Sequence, residues 1–255
     1  MIPLSDENPT LRTPIVTYAI VLLNALVWIF VQGAGLDETT LAKSVCNLGL
    51  VAGELTGLAP IGTAVPLGAG LVCAVDDDPV NLLTPFTSMF LHGGWGHILG
   101  NMLFLWVFGN NVEDSMGRVR FVVFYVGTGV LAALSQVVVD ADSAVPMVGA
   151  SGAIAGVMGA YLVLYPKVRV NMLFIFFVFF RVIPLPAWGV LIWWAVVQAL
   201  MLAPMLDDGG ASGGVAVMAH LGGFVAGALL IKLFEDKVLT ARHVYGHFRH
   251  TRHRA

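Results

Sequence analysis

Long apolar stretches separated by short polar segments dominate this chain of 255 residues. A membrane-spanning helix needs roughly 20 apolar residues. Stretches of about this length are residues 14–32, 95–112, 121–139, 187–204 and 215–231. A further stretch, residues 151–165, is apolar but shorter. The pattern predicts an all-α membrane protein whose six transmembrane helices form a bundle.

Another apolar run, residues 170–180, lies between Arg169 and Arg181. It is too short to cross a bilayer, and a basic residue marks each of its ends. We interpret it as an interfacial or re-entrant segment that is partly extended. Pro184 and Pro186 then mark the entry into the fifth helix.

Positive charges alternate between successive connections. The first connection has one basic residue, Lys43, and the third and fifth have none. The second and fourth connections and the C-terminal tail are basic through Arg118, Arg120, Lys167, Arg169, Arg181, Lys237, Arg242, Arg249, Arg252 and Arg254. Because cytoplasmic loops carry the excess of Lys and Arg, both termini are predicted to be cytoplasmic. That arrangement requires an even number of spanning helices.

This topology divides the chain into three predicted parts. Residues 1–13 form a cytoplasmic N-terminal segment, and residues 14–232 form the six-helix domain, with a long external first loop at about residues 33–91. Residues 233–255 form a basic, His-rich cytoplasmic tail. We expect the tail histidines to be solvated and weakly attracted to the membrane, with adventitious metal binding as the alternative. They are His243, His247, His250 and His253.

Composition agrees with a membrane protein. Hydrophobic residues make up 58% of the chain and charged residues 11%, whereas soluble domains carry roughly 25% charged residues. The net charge of −3 gives no indication of a nucleic-acid partner. The first apolar stretch is about as long as a spanning helix and no small-residue cleavage site follows it, so we expect a retained helix and not a signal peptide. Cys46 and Cys73 fall in the external loop, where a disulfide is permitted, and both a bond and two free thiols remain open.

Polar side chains near the outer ends of the predicted helices are the candidates for function. The interiors of the six stretches contain no Asp, Glu, Lys or Arg, but His92, His97 and His220 lie in them or at their mouths. Counting back from cytoplasmic charges at 1.5 Å per residue puts His220 and Asn101 about 12 Å below the outer edge. His97 and Ser151 lie about 6 Å below it. Polar residues from three helices thus share one layer, which indicates a site.

Ser151 begins the shortened fourth stretch within Gly149-Ala150-Ser151-Gly152. The free N–H groups and the positive end of a helix stabilise a developing oxyanion beside a serine nucleophile. The flanking glycines let a substrate backbone approach closely. The alternative is that Ser151 merely caps its helix.

Spacing relates the other candidates to Ser151. His97 and Asn101 stand four residues apart and share a helix face, whereas His92 precedes His97 by five, which argues against a two-histidine metal clamp. Small residues allow close helix packing in membranes. The fourth and sixth helices carry such residues at Gly152, Gly156, Gly159, Gly222, Gly223 and Gly227. Their contact would bring His220 near Ser151, although a lone buried histidine can also serve structural hydrogen bonding.

Three motifs, in order and at family-like spacing, resemble the rhomboid protease signature. They are His92-x4-His97-x3-Asn101, Gly149-Ala-Ser151-Gly and Ala219-His220-Leu-Gly-Gly. The resemblance covers roughly residues 12–232 and includes Asn111-Val-Glu113-Asp114-Ser-Met-Gly117-Arg118. It implies a serine endopeptidase that cleaves transmembrane segments near the outer face.

The resemblance also implies roles for individual residues. Ser151 and His220 would be the catalytic dyad, with Asn101, His97 and the Ser151 N–H as oxyanion donors. Supporting motif positions would be His92, Gly149, Gly152 and Gly223. No metal or cofactor is implied. The implied partners are single-pass transmembrane substrates and the lipid bilayer, and the compact form resembles bacterial members, which predicts a bacterial cell membrane.

Two further features bear on the family pattern. Ala155 stands where the family often has an aromatic residue packed on the catalytic imidazole. Residues 207–214 resemble a mobile cap over the site, with the fifth helix as a lateral gate.

Other functions compete with this interpretation. A catalytically inactive rhomboid-like binder would share the fold but normally lacks the serine or the histidine. A transporter or proton relay would require intramembrane acids or repeated broken helices. A membrane metalloprotease would require a different ligand spacing.

Overall fold

The computed structural model describes residues 2–68, 70–176, 179–207 and 216–243. Its longer helices are α1 Ile15–Phe30, α2 Glu38–Leu48, α5 Trp95–Met116, α6 Arg118–Val139, α7 Ser151–Leu164, α8 Ala187–Asp207 and α9 Val217–Phe234. The shorter ones are α3 Ala52–Thr56, α4 Thr84–Thr87 and α10 Lys237–Arg242. The strands are β1 Ile2–Asp6, β2 Ala64–Gly68, β3 Leu71–Ala74, β4 Arg169–Phe176 and β5 Phe179–Pro186.

Each of the six predicted stretches contains a helix, so the mostly helical fold is confirmed. Within the described residues, Arg118–Val139 and Val217–Phe234 are long and apolar enough to cross a membrane. Ile15–Phe30, Ser151–Leu164 and Ala187–Leu202 are apolar but shorter. Six crossings therefore stay a prediction.

Among the described residues, two small antiparallel sheets accompany the helices, and the sequence pattern predicted neither as a sheet. In the larger sheet, β4 lies between β1 and β5, with Leu173 opposite Ile2 and Val182. The partly extended segment at residues 170–180 thus includes most of β4 and the first two residues of β5, which pair as a hairpin. The second sheet is the β2–β3 hairpin in the first loop.

Helix α7 is the centre of the bundle. Most of its residues are buried, and it packs against α5, α6 and α9. A Cβ at Gly223 of α9 would collide with the carbonyl oxygen of Gly152, and one at Gly227 would collide with that of Gly156. Because lipid tails provide no hydrophobic drive for helix association, such backbone proximity supplies the van der Waals contact instead. The predicted close packing of these two helices is confirmed.

Both described terminal segments meet the C-terminal end of α5. Glu113 accepts hydrogen bonds from the N–H groups of Val16 and Thr17 at 3.1 and 2.8 Å, so it caps the start of α1. Asp114 accepts from the N–H of Leu11 at 2.7 Å. The N–H of Asp236, just before α10, donates to the Ser115 carbonyl at 2.8 Å.

The expectation of a solvated tail is wrong for its first histidine. His243 follows α10 and is buried, with its ring 5.3 Å from that of Tyr165. Burial lowers the pKa of this imidazole, which favours the neutral form in an interior position. Docking of α10 on α5 removes His243 from water. His247, His250 and His253 lie outside the described residues.

A disulfide joins α2 to β3 in the first loop. It links Cys46 and Cys73, whose Cα atoms are 5.4 Å apart. The sequence left both a disulfide and two free thiols open, and the structure has the disulfide.

Candidate active site

Ser151 and His220 are in hydrogen-bond contact. Ser151 is the first residue of α7, and His220 lies in the first turn of α9. Nε2 of His220 is 2.7 Å from Oγ of Ser151. A serine hydroxyl bonded to an imidazole nitrogen is the arrangement in which the histidine can remove the hydroxyl proton.

Helix α6 fixes the start of α9 and thereby the height of His220. The amide oxygen of Gln136 accepts from the N–H of Met218 at 3.1 Å, and the hydroxyl of Ser135 donates to the Met218 carbonyl at 2.8 Å. Gln136 thus satisfies one of the free N–H groups at the start of α9.

His97 and Asn101 lie one turn apart on α5 and border the same cavity as the dyad. The N–H of Gly93 donates to Nδ1 of His97 at 3.2 Å, so the neutral ring carries its proton on Nε2. Nε2 of His97 lies close to Gly149, since a Cβ added to Gly149 would be 2.8 Å from this nitrogen. Asn101 is 8% exposed, and within the described residues its Nδ2 has no hydrogen-bond partner. Two N–H donors therefore border the cavity.

The segment before Ser151 is held by the first loop. Leu50 and Met147 exchange backbone hydrogen bonds at 2.9 and 2.7 Å, and the N–H of Gly149 donates to the Ser88 carbonyl at 2.9 Å. Gly149 has φ +132°, a conformation that favours glycine. A side chain here would be strained and would crowd His97, so the glycine shapes the approach to Ser151.

The cavity has a volume of about 520 Å³ and both members of the dyad line it. A sequence model of the Rhomboid domain matches residues 80–236. That range is more than half of the chain and includes Ser151, His220, His97 and Asn101. The chain belongs to the Rhomboid family. Proteins of this family are integral membrane proteins, in agreement with the apolar composition.

Named relatives share parts of the sequence. Rhomboid protease GluP of Bacillus subtilis is 41% identical over 81 residues, 32% of this chain and 15% of the relative. RHOMBOID-like protein 1 of Arabidopsis thaliana is 30% identical over 170 residues, 64% of this chain and 36% of the relative. Rhomboid protein 1, mitochondrial, of Saccharomyces cerevisiae is 31% identical over 151 residues, 56% of this chain and 39% of the relative. The matches thus span well under half of each relative's length.

These relatives come from a bacterium, a plant and a yeast mitochondrion. They support a membrane protein of the Rhomboid family but give no support to the predicted bacterial cell membrane. Residues 208–214 of the predicted cap lie outside the described residues.

His92 and Gly152 support the site indirectly. The N–H of His92 donates to the side chain of Gln32, and its carbonyl accepts from that side chain, both at 2.8 Å. The His92 ring is buried and meets the His97 ring edge to face at 5.1 Å. A Cβ at Gly152 would lie 2.7 Å from the Ala132 Cβ, so this glycine is required by the packing of α7 on α6. His92 therefore packs against His97 and does not line the cavity.

Two side chains of α8 were missed by the sequence analysis. The amide oxygen of Gln198 is 2.8 Å from Nδ1 of His220, and the Trp194 ring lies 5.9 Å from the imidazole. Trp194 thus provides the aromatic contact that Ala155 cannot. A signal was present, because Gln198 is a polar residue inside an apolar stretch.

Proposed function

We propose that this Rhomboid-family protein is an intramembrane serine endopeptidase that cuts transmembrane segments of other membrane proteins near the outer face. The observation that supports the proposal is the 2.7 Å contact between Ser151 Oγ and His220 Nε2 at a cavity of about 520 Å³. An inactive binder would not need a serine and a base in this relation.

The chemistry follows from that contact. Ser151 Oγ attacks the scissile carbonyl carbon while His220 Nε2 takes the hydroxyl proton. The tetrahedral intermediate collapses when the imidazolium gives that proton to the leaving amine, which leaves an acyl ester on Ser151. His220 then deprotonates a water molecule that attacks the ester, and the released serine regains its proton.

Negative charge develops on the scissile carbonyl oxygen in the transition state. Hydrogen-bond donors that are already in place stabilise this charge. Nδ2 of Asn101, Nε2–H of His97 and the backbone N–H of Ser151 are the candidates. Asn101 is favoured because its buried Nδ2 has no partner within the described part of the chain. A transition-state oxyanion would supply the missing acceptor.

The membrane arrangement is part of the proposal. Six crossings with cytoplasmic termini would put the dyad near the outer face, where water can reach Ser151. Both described terminal segments meet the same end of α5, which supports termini on one side. We retain a bacterial cell membrane as the proposed location, and single-pass membrane proteins as the substrates.

The test is cleavage of a fluorogenic transmembrane peptide by the purified protein in liposomes, beside Ser151→Ala and His220→Ala. We expect the wild type to cut and both variants to lose at least about 10³-fold in rate. Equal activity of all three proteins would refute the dyad. If all three are silent on several peptides while folded, the binding function replaces the protease.

A further inference from the structure

The α8 helix holds the imidazole of His220 on the side away from Ser151. Gln198 and Trp194 are four residues apart, so they share one face of α8. Gln198 contacts Nδ1 of the ring at 2.8 Å, and Trp194 packs on both His220 and Phe224, at 5.9 and 5.8 Å between ring centroids. Gln198 is 9% exposed, so this hydrogen bond is shielded from competing water.

The contact with Gln198 favours one tautomer of His220, because the amide oxygen is the atom that faces Nδ1. An amide oxygen only accepts hydrogen bonds, so the ring must donate from Nδ1. A neutral imidazole has one N–H, which leaves Nε2 free to accept the proton of Ser151. If the amide were reversed, its NH₂ group would donate to Nδ1 and the ring proton would move to Nε2. His220 would then be unable to act as the base.

We propose that Gln198 is a positioning residue that selects the base-competent tautomer of His220 and that Trp194 fixes the plane of the ring. The inference rests on the proposed protease function and extends it. In a Ser-His-Asp triad a carboxylate accepts the hydrogen bond from Nδ1 of the histidine. Here the acceptor is a neutral amide on α8, a helix that carries neither Ser151 nor His220. The base is therefore aligned only while α8 lies against α9, so a displacement of α8 would inactivate the dyad without moving Ser151.

The experiment compares Gln198→Leu with Gln198→Glu in the liposome cleavage assay. Leucine has a similar size but leaves Nδ1–H buried without an acceptor, so we expect kcat to fall roughly 10- to 100-fold. Gln198 does not line the cavity, so KM should stay within about twofold. Glutamate keeps the length and the acceptor and should retain kcat within about fivefold. Trp193→Ala is the matched control on α8, since Trp193 is 53% exposed and should leave kcat unchanged.

A second readout does not depend on catalysis. Ring ¹⁵N shifts of histidine-labelled protein report the tautomer, and the His220 signal is the one that disappears in His220→Ala. We expect protonated Nδ1 in the wild type and in Gln198→Glu, and a mixture of tautomers in Gln198→Leu.

The outcomes separate this inference from the proposed function. If Gln198→Leu keeps the wild-type kcat and tautomer while Ser151→Ala is inactive, the inference is overturned and the protease stands. If Gln198→Glu fails as badly as Gln198→Leu and both unfold at lower temperature, Gln198 is structural and the inference is also overturned. If the wild type does not cut, the protease function falls, and the ¹⁵N shifts still decide whether Gln198 sets the tautomer.

Discussion

Replacing Gly223 by alanine tests whether the α7–α9 contact sets the geometry of the dyad. The added Cβ would collide with the Gly152 carbonyl oxygen and approach the Gly152 carbonyl carbon and the Ala132 Cβ at 3.1 and 3.2 Å. Alanine favours helix over glycine by about 1 kcal/mol. Because a backbone carbonyl cannot rotate away, the clash outweighs this gain, and overpacking of this kind costs about 1–3 kcal/mol.

The same clash should slow catalysis. Relief requires α7 and α9 to separate by about 1.5 Å, since the added Cβ and the Gly152 carbonyl oxygen would otherwise lie far inside the roughly 3.5–4.0 Å that non-bonded atoms prefer. The Ser151–His220 distance is 2.7 Å, and a shift of that size takes it beyond hydrogen-bond range. A misplacement of about 1 Å can cost roughly 100-fold in rate. We therefore expect Gly223→Ala to lower both the free energy of unfolding in detergent and kcat in liposomes.

Gly127→Ala is the matched control. Gly127 lies in α6, and a Cβ there would meet no atom within 4 Å, so stability should be unchanged or slightly raised. A fluorophosphonate labels an activated serine. The extent of Ser151 labelling, normalised to the folded fraction of the protein, distinguishes a loss of serine reactivity from a loss of folded protein. A folded Gly223→Ala variant with wild-type kcat would show that the glycine contact does not set the distance between Ser151 and His220.

Two further predictions concern other parts of the molecule. Burial raises the pKa of Asp6, which accepts from Asn111 and Tyr161, to about 6. The folded state therefore favours the protonated acid, and this stabilisation is present below pH 4 and lost as pH rises through 6. Relative to Asp6→Asn, the wild type should lose about 2 kcal/mol of unfolding free energy between pH 4 and 7, and a difference between the two proteins that is the same at both pH values would contradict this. Asn101→Ala should lower kcat about 10²- to 10³-fold with little change in unfolding temperature, and a large loss of stability with normal kcat would show that Asn101 is structural.

The parts that sequence reasoning predicted are those governed by local rules. Apolar length predicts a helix wherever about 20 such residues occur, and glycines at helical spacing predict a backbone contact whatever the partner. The pairing of β1 with β4 joins residues such as Ile2 and Leu173, and no local pattern specifies a partner so far along the chain. Burial of His243 likewise depends on where α10 docks. The basic, His-rich composition of the tail indicates a solvated segment and does not reveal this docking.

The site divides into a contact that was predictable and one that was not. Backbone atoms of α7 and α9 set the distance between Ser151 and His220. This contact was predictable because it requires glycines, which can be read directly from the sequence. The orientation of the His220 ring comes from Gln198 on α8, whose role depends on which helix lies beside it. If distance and orientation have separate sources, Gly223→Ala should alter stability and rate together, whereas Gln198→Leu should alter mainly the rate. A Gln198→Leu variant that loses stability as Gly223→Ala does would mean that α8 is part of the rigid core rather than a separate control on the base.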